Sequence, residues 1–390
     1  MNMVVRSDAG PRRRVLVFHI GSLGDTLVAL PAMWAVRAHF GNSHLCLLTK
    51  TSARPGIPVG EDILQGSGLF DDFILFNGDY HAYGRNLSAW EKAREALRLW
   101  WWLRQQRFDT VVYLAPSVRD RAQIQRDLRF FRAAGITHVI GARELEAVNL
   151  SRQPATSPLP MHPREAQWML DRLSGPELRP PALTQARRDL ALSALELQQA
   201  LEWMHAQGAP SDRPWVALAP GTNLPSKRWP LERFAEVGQH LMREFDIWPV
   251  VMGGAEDVDD AQHLLNQWGR GTLAANRLSV RQSAAVLQHC SLYVGNDTGV
   301  MHLAASADVP CVAIFSARDL PGKWHPLGSG HTVMRSSVPC EGCMLVRCEE
   351  HERRCLTLIG VQEVSQHAAR ILRHATQHQD QPPARRQALP

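Results

Sequence analysis

A chain of 390 residues, 45% of them hydrophobic and 21% charged, is too long for one ordinary core, so two domains are expected. No run approaches the roughly 18 apolar residues of a membrane span, and residues 1–14 carry charge with no apolar stretch marking export, so a cytoplasmic location is expected. A net charge of +5 and a pI near 9.0 suit an acidic partner: a phosphorylated substrate, an anionic membrane surface or nucleic acid.

Short β-rich runs alternate with helical patterns, which predicts βαβ units and parallel sheets of the α/β class. Strands are expected at 15–20, 45–49, 73–76, 110–114 and 138–140, with helical segments between most of them. Residues 150–181 are Pro-rich and enclose one short amphipathic helix at 165–173, which reads as an interdomain passage. A helix over 184–207 opens a second series. Strands at 215–219, 247–252, 291–294 and 311–315 alternate there with helices at 231–245, 258–268, 280–288 and 299–307, and a last helix covers 361–376. The expected division is 1–183, 184–376 and a polar tail, 377–390. Two doubly wound domains in tandem leave a cleft between the carboxyl ends of their strands, where such sheets bind ligands.

In the first domain the strand at 15–20 runs into Gly21-Ser22-Leu23-Gly24-Asp25 and a helix. This glycine turn is not a dinucleotide fingerprint. The third glycine is missing, and Lys50 stands at the end of the second strand where a nicotinamide enzyme wants an acid. Asp25 sits at the strand-to-helix junction, either as a capping residue or as a catalytic carboxylate. Pro31 implies a kink, or a helix that begins later.

In the second domain the richest stretch is Gly295-Asn296-Asp297-Thr298-Gly299-Val300-Met301-His302, which hands an apolar strand to a helix start. Free amides and the positive helix end make such a junction an anion site. Gly299 clears the approach, and Thr298 and His302 add donors one turn apart, while the plain alternative makes Asp297 a cap. Pro220-Gly221-Thr222 closes another strand, and Ser226-Lys227-Arg228-Trp229-Pro230 enters the next helix. One lysine charge near 4 Å at an effective dielectric near 20 gives about 4 kcal/mol of gross attraction per opposing charge. Lys227 with a helix terminus is therefore suited to a diphosphate, and Arg228 to a salt bridge. Gly253-Gly254-Ala255-Glu256 offers an acid for ribose hydroxyls at a third strand end. Asp257-Val258-Asp259 imitates a metal motif, but residues two apart on a helix diverge, so it is read as a solvated face.

Together, Gly21-Ser22-Leu23-Gly24-Asp25, Pro220-Gly221-Thr222 with Ser226-Lys227-Arg228-Trp229-Pro230, Gly253-Gly254-Ala255-Glu256 and Asn296-Asp297-Thr298-Gly299-Val300-Met301-His302-Leu303-Ala304 resemble the bacterial heptosyltransferases, glycosyltransferase family 9, in order and spacing. The resemblance runs over nearly the whole chain, residues 14–372. It implies a GT-B fold, two Rossmann-like domains facing each other across a cleft, with acceptor on the N-terminal domain and nucleotide sugar, usually ADP-heptose, on the C-terminal one. It also implies inverting, metal-independent transfer to the lipopolysaccharide inner core at the cytoplasmic face of the inner membrane. Carried over by position, Asp25 would be the general base with Gly24 beside it on the acceptor side. Lys227 would meet the diphosphate, Glu256 the ribose, and Asp297, Thr298, Gly299 and His302 the donor's sugar and phosphates, with Gly221 and Thr222 also on the donor side.

Three features stand outside that core. Cys340, Cys343, Cys348 and Cys355 form a Cys-x2-Cys-x4-Cys-x6-Cys loop that suits zinc or iron in a cytosolic protein, against free thiols as the alternative. Arg119 and Arg126, with Arg121, Arg129 and Arg132, could engage a phosphorylated glycolipid or other glycan acceptor, or form a solvated helix face. Trp100-Trp101-Trp102 with Trp90, Arg98 and Arg104 lies in an amphipathic helix, where some rings must leave the core face for a membrane interface, a neighbouring helix or a subunit. Loops 51–60 and 77–86 are expected to shape the acceptor side. The rival readings are a non-catalytic sugar-nucleotide scaffold, a transferase of the same family acting on protein, an epimerase and a nucleic-acid binder. An epimerase needs a second acid/base, and no nucleic-acid reading module is present.

Overall fold

The computed structural model describes residues 13–50, 59–76, 88–117, 119–142 and 158–379, which form two compact units. Residues up to 142 and residues 165–187 make the first unit; residues 158–164 and those from 188 onward make the second. The chain thus passes between units three times, between residues 142 and 158, at 164/165 and at 187/188, where a single passage at 183/184 was expected.

The first unit is a parallel five-stranded sheet of β1 (Arg14–Phe18), β2 (His44–Lys50), β3 (Asp72–Phe76), β4 (Thr110–Tyr113) and β5 (His138–Ile140), in the order β3-β2-β1-β4-β5. Strand β1 is flanked by β2 and β4, pairing Phe18 with both Leu48 and Tyr113. The strand order reverses there, so its carboxyl end lies at the topological switch point. Around it are α1 (Leu23–Val28), α2 (Leu30–His39), α3 (Gly60–Leu64), α4 (Ala89–Gln106), α5 (Arg121–Ala133) and α6 (Glu165–Leu173). Of the two readings of Pro31, the later helix start holds. One helix stops at Val28 and the next starts at Leu30, so the proline stands in a first turn where its missing N–H costs nothing. Leu16, Phe18, Val111, Tyr113, Ile124 and Phe131 form the centre of the core.

The second unit carries β6 (Trp215–Ala219), β7 (Trp248–Val251), β8 (Thr272–Leu273), β9 (Leu292–Asn296), β10 (Cys311–Phe315) and β11 (Thr332–Arg335), all parallel in the order β11-β10-β9-β6-β7-β8. Its switch point lies between β6 and β9, where Ala219 pairs with Gly295. The helices are α7 (Ala194–Ala206), α8 (Leu231–Phe245), α9 (Val258–Trp268), α10 (Val280–Gln288), α11 (Gly299–Ser306), α12 (Arg354–Thr357) and α13 (Val361–Gln379). Helix α7 starts ten residues later than the hydrophobic pattern suggests. Ser193 and Glu196 form a capping box that sets its first turn, and the carbonyls of Leu190 and Ala191 are instead taken by Arg281. Strands β8 and β11 were not expected; two- and four-residue edges carry too little alternation to register. Helix α13 runs on through Gln379, into the stretch expected to be tail.

Candidate active site

In the first unit, β1 leads into His19, Ile20 and the turn that starts α1. Ser22 caps that helix, and its amide and hydroxyl both donate to Oδ2 of Asp25, at 2.7 and 2.8 Å. Oδ1 takes no protein hydrogen bond among the described residues. Gly21 is required by close approach: a Cβ there would lie 2.4 Å from Cβ of Asp25 and 2.9 Å from Nε2 of His19. Gly24 lies in the first turn of α1, half-buried beside Asp25.

His19 gave no signal in the sequence. It is fully buried, and because a carbonyl can only accept, its Nδ1 donates to Leu114 at 2.9 Å. Nε2 then faces the Thr26 hydroxyl at 3.4 Å, and that hydroxyl also bonds the Ser22 carbonyl at 2.9 Å. Burial lowers the His19 pKa against the Leu114 carbonyl and Asp25, which raise it, while Lys50 and Arg172 lower it further. A neutral imidazole thus underlies the turn that presents Asp25.

Arg119 and Arg126 do not share an exposed helix face. Arg119 precedes the cap of α5, Asp120, and is buried against the Phe18 ring with its guanidinium on Asp127. Arg126 is exposed and reaches the same carboxylate at 3.3 Å. The reading of both as one acceptor-facing or solvated face is corrected accordingly, because burial of the Asp127 carboxylate recruits Arg119 inward. Of the expected acceptor loops, only residues 59 and 60 lie within the described chain.

In the second unit, strand ends β6 and β9 meet through Asn296. This fully buried amide donates to the Pro220 carbonyl at 2.6 Å and accepts the Trp229 amide at 3.2 Å, fixing the loops on both sides of Lys227. Lys227 ends a 3-10 turn, Pro225–Lys227, and its ammonium meets Oδ2 of Asp297 at 2.5 Å. The two side chains are 14% and 6% exposed, so little water screens the pair. Helix α11 follows directly. Thr298 is its N-cap without a side-chain cap bond, so the first amides, beginning with Gly299, stay open. The Thr298 hydroxyl lies beside that of Tyr293, and His302 is buried one turn in, donating its amide to Thr298 at 3.3 Å.

Gly221 and Thr222 line the same turn, and Gly221 has a reason the motif did not supply. A Cβ there would lie 2.0 Å from a carboxylate oxygen of Asp257, and one at Gly253 would lie 2.7 Å from Asp257 as well. Asp257 is therefore a buried carboxylate under two strand ends, not part of a solvated face. It accepts the Gly254 amide at 2.9 Å and lies 3.6 Å from Arg228, which also reaches Asp260 at 3.1 Å. Burial pushes its pKa up. Glu256, its neighbour, is exposed and folds over Gly254.

The cysteine loop is tied to this site. Ser226, next to Lys227, donates its amide to Val346 at 3.1 Å and its hydroxyl to Leu345 at 2.6 Å. Arg318 bonds the carbonyls of Leu345 and Met344, and Arg353 that of Arg228. Cys340, Cys343, Cys348 and Cys355 are free thiols, and among the described residues no three His, Cys, Asp or Glu side chains converge as metal ligands. Burial first, and then the neighbouring cysteines, raise the pKa of the Cys340 and Cys355 thiols, so the four stand near enough to act on one another, with Cys343 exposed.

Two Rossmann-ordered parallel sheets, one with a carboxylate and the other with a lysine and an open helix start at the switch point, define the GT-B class of glycosyltransferase fold. The model of glycosyltransferase family 9 (heptosyltransferase) matches residues 96–353, and the chain belongs to that family. A Salmonella typhimurium lipopolysaccharide heptosyltransferase 2 is 32% identical over 133 residues, 32% of this chain; the match spans only 37% of that relative's length. The structure of E. coli ADP-heptose LPS heptosyltransferase II is similar with a TM-score of 0.66 at 20% identity, covering 93% of this chain and 99% of that one. E. coli heptosyltransferase WaaC with ADP follows at 0.60 and 19%, covering 92% and 99%. At these identities the structural likeness speaks for the fold.

Proposed function

We propose that the protein is an inverting glycosyltransferase that moves a heptose from ADP-heptose to a hydroxyl of a lipopolysaccharide-core glycan, at the cytoplasmic face of the inner membrane. The observation that carries this reading is the buried Lys227–Asp297 pair at the start of α11. Asp297 holds the ammonium in place, and a diphosphate entering there would meet that ammonium and the open amides together. Charge growing on the departing nucleotide diphosphate is stabilised by these groups, in the role a divalent cation could otherwise fill. Glu256, exposed at the end of β7, is free to accept ribose hydroxyls.

The acceptor hydroxyl attacks the anomeric carbon, the bond to the diphosphate breaks, and the hydroxyl proton passes to Oδ1 of Asp25. Ser22 steadies the other oxygen of that carboxylate, and His19 and Thr26 underpin the turn. Transfer in one displacement inverts the anomeric centre. In its support, a relative named lipopolysaccharide heptosyltransferase 2 is 32% identical over 133 residues, and the family model matches residues 96–353.

Thermal unfolding with ADP-, UDP- and GDP-sugars tests the donor. ADP-heptose at about a hundred times its dissociation constant should add about 2.7 kcal/mol of stability. Asp25→Ala should keep that stabilisation and lower turnover by about 10²- to 10⁴-fold, with turnover unaffected by chelators. Comparable turnover in Asp25→Ala removes Asp25 as the base. Stabilisation by the donor with turnover only on a protein acceptor moves the reading to that branch of the family, and stabilisation with no turnover on any acceptor leaves a scaffold.

A further inference from the structure

Helix α4 stands out in the first unit because it uses so little of its surface for packing. Leu103 alone of its side chains is buried among the described residues, with Leu99, Trp100 and Trp102 partly buried against the core. At 3.6 residues per turn, Trp90, Arg94, Leu97, Trp101 and Arg104 fall within about 80° of arc, on the side opposite Leu103. Trp90 is 75%, Leu97 63% and Trp101 58% exposed.

This outward stripe holds no acid. Glu91 is bound to the amide and hydroxyl of Ser88 at the helix start, and Glu95 pairs with Arg98 at 3.3 Å on the flank. Near the helix end Trp100, Trp101, Arg104, Gln105 and Arg107 line a depression of about 460 Å³, with the Arg104 guanidinium 5.7 Å from the Trp100 ring. Indole rings exposed beside arginines match the layered chemistry of a bilayer surface, where rings lie among headgroups and guanidinium groups reach phosphates. Tryptophan and arginine are also enriched where subunits meet, so what favours a bilayer is the absence of any acid on the stripe, a positive face that suits an anionic surface. Among the described residues no helix is long and apolar enough to cross a membrane, so contact of this kind would be in the plane of the surface.

We propose that α4 is an in-plane anchor that lays Trp90, Leu97 and Trp101 into the surface of an anionic bilayer, with Arg94, Arg104 and Arg107 on lipid phosphates. It deepens the reading above by naming the face turned to the membrane, and rests on that reading only for which membrane it is.

The test is flotation of the full chain with phosphatidylglycerol–phosphatidylcholine vesicles and with phosphatidylcholine alone, at low and high salt. Binding should require the anionic lipid and weaken with salt, and Arg94→Gln and Arg104→Gln should each weaken it about fivefold. Trp90→Ala with Trp101→Ala should reduce bound protein at least about tenfold, with an unchanged thermal midpoint because both rings are exposed. Brominated lipid should quench tryptophan fluorescence in the parent chain and less in Trp90→Phe with Trp101→Phe. Absent vesicle binding, or binding equal in the tryptophan variants, overturns the anchor. So does a dimer that those variants dissociate, which would give the face to a second copy. Turnover on a delipidated acceptor separates the two readings: turnover without vesicle binding sinks the anchor alone, and vesicle binding without turnover sinks the transfer reading alone.

Discussion

The two switch points hold their charge in opposite ways. Asp25 is half-exposed, with one oxygen bound by Ser22 and the other open, whereas Asp297 is buried and is neutralised by the mostly buried Lys227. A group that must take a proton from a substrate needs an accessible lone pair. A group that must stabilise growing charge works best when already fixed in a site poor in water. The sheets have the same strand order about the switch point, so the difference lies in the loops: a six-residue helix start in one, and an Asn296-stapled pair of strand ends in the other.

That contrast is broken most strongly at Lys227. Lys227→Ala leaves Asp297 buried without its partner and should cost about 3–5 kcal/mol in denaturant unfolding, besides donor affinity. Lys227→Met combined with Asp297→Asn should recover much of the stability and none of the affinity. If calorimetry shows ADP binding unchanged in the double variant, the diphosphate lies elsewhere.

The glycines before each site give the next largest effect. Gly221→Ala drives a Cβ into the buried Asp257 carboxylate and should cost about 1–3 kcal/mol. Gly21→Ala presses on the Cβ of Asp25, which side-chain rotation cannot move, and on Nε2 of the fully buried His19, so the turn itself must shift and both stability and turnover should fall. Unchanged turnover in Gly21→Ala would detach this turn from the presentation of Asp25.

The smallest effect separates acids within the second unit by pH. Arg281 holds Glu196 down to about 2 from an ordinary 4.5, so its folded form is favoured above the unfolded value and that stability drains away as pH falls from about 4.5 to 2. Asp257 is shifted the other way by burial, so its contribution is present at low pH and lost as pH rises from 3.8 through its raised folded value. Glu196→Gln should flatten the acid limb of the stability curve by about 1 kcal/mol, and Asp257→Asn should flatten the limb above it. Denaturant midpoints across pH, with the slopes exchanged between these variants, would contradict both assignments.

Most strand ends and helix starts were legible because the signals are local. The helices over 258–268 and 280–288 and the strand over 311–315 coincide with Val258–Trp268, Val280–Gln288 and Cys311–Phe315, since a capping box at Ser279, a left-handed Gly269 and a solid apolar run each act within a few residues. The residues that escaped were those whose role depends on a distant partner. Nothing near His19 announces Leu114, nothing near Asp257 announces Gly221, and Arg119 reads as a surface charge until Asp127 claims it.

Alternation of apolar and helical runs, glycines at strand ends and capping residues determined the α/β class, the order of elements and the positions of Asp25, Lys227 and Asp297 at three junctions, because backbone conformation is chosen over short spans. Which charges are buried, which are paired and which stay open was decided only by tertiary structure. Parallel strands return through helical crossovers, so neighbours at the carboxyl ends of adjacent strands come from residues as far apart as Lys227 and Asp297, and burial there sets the electrostatics that no local pattern encodes.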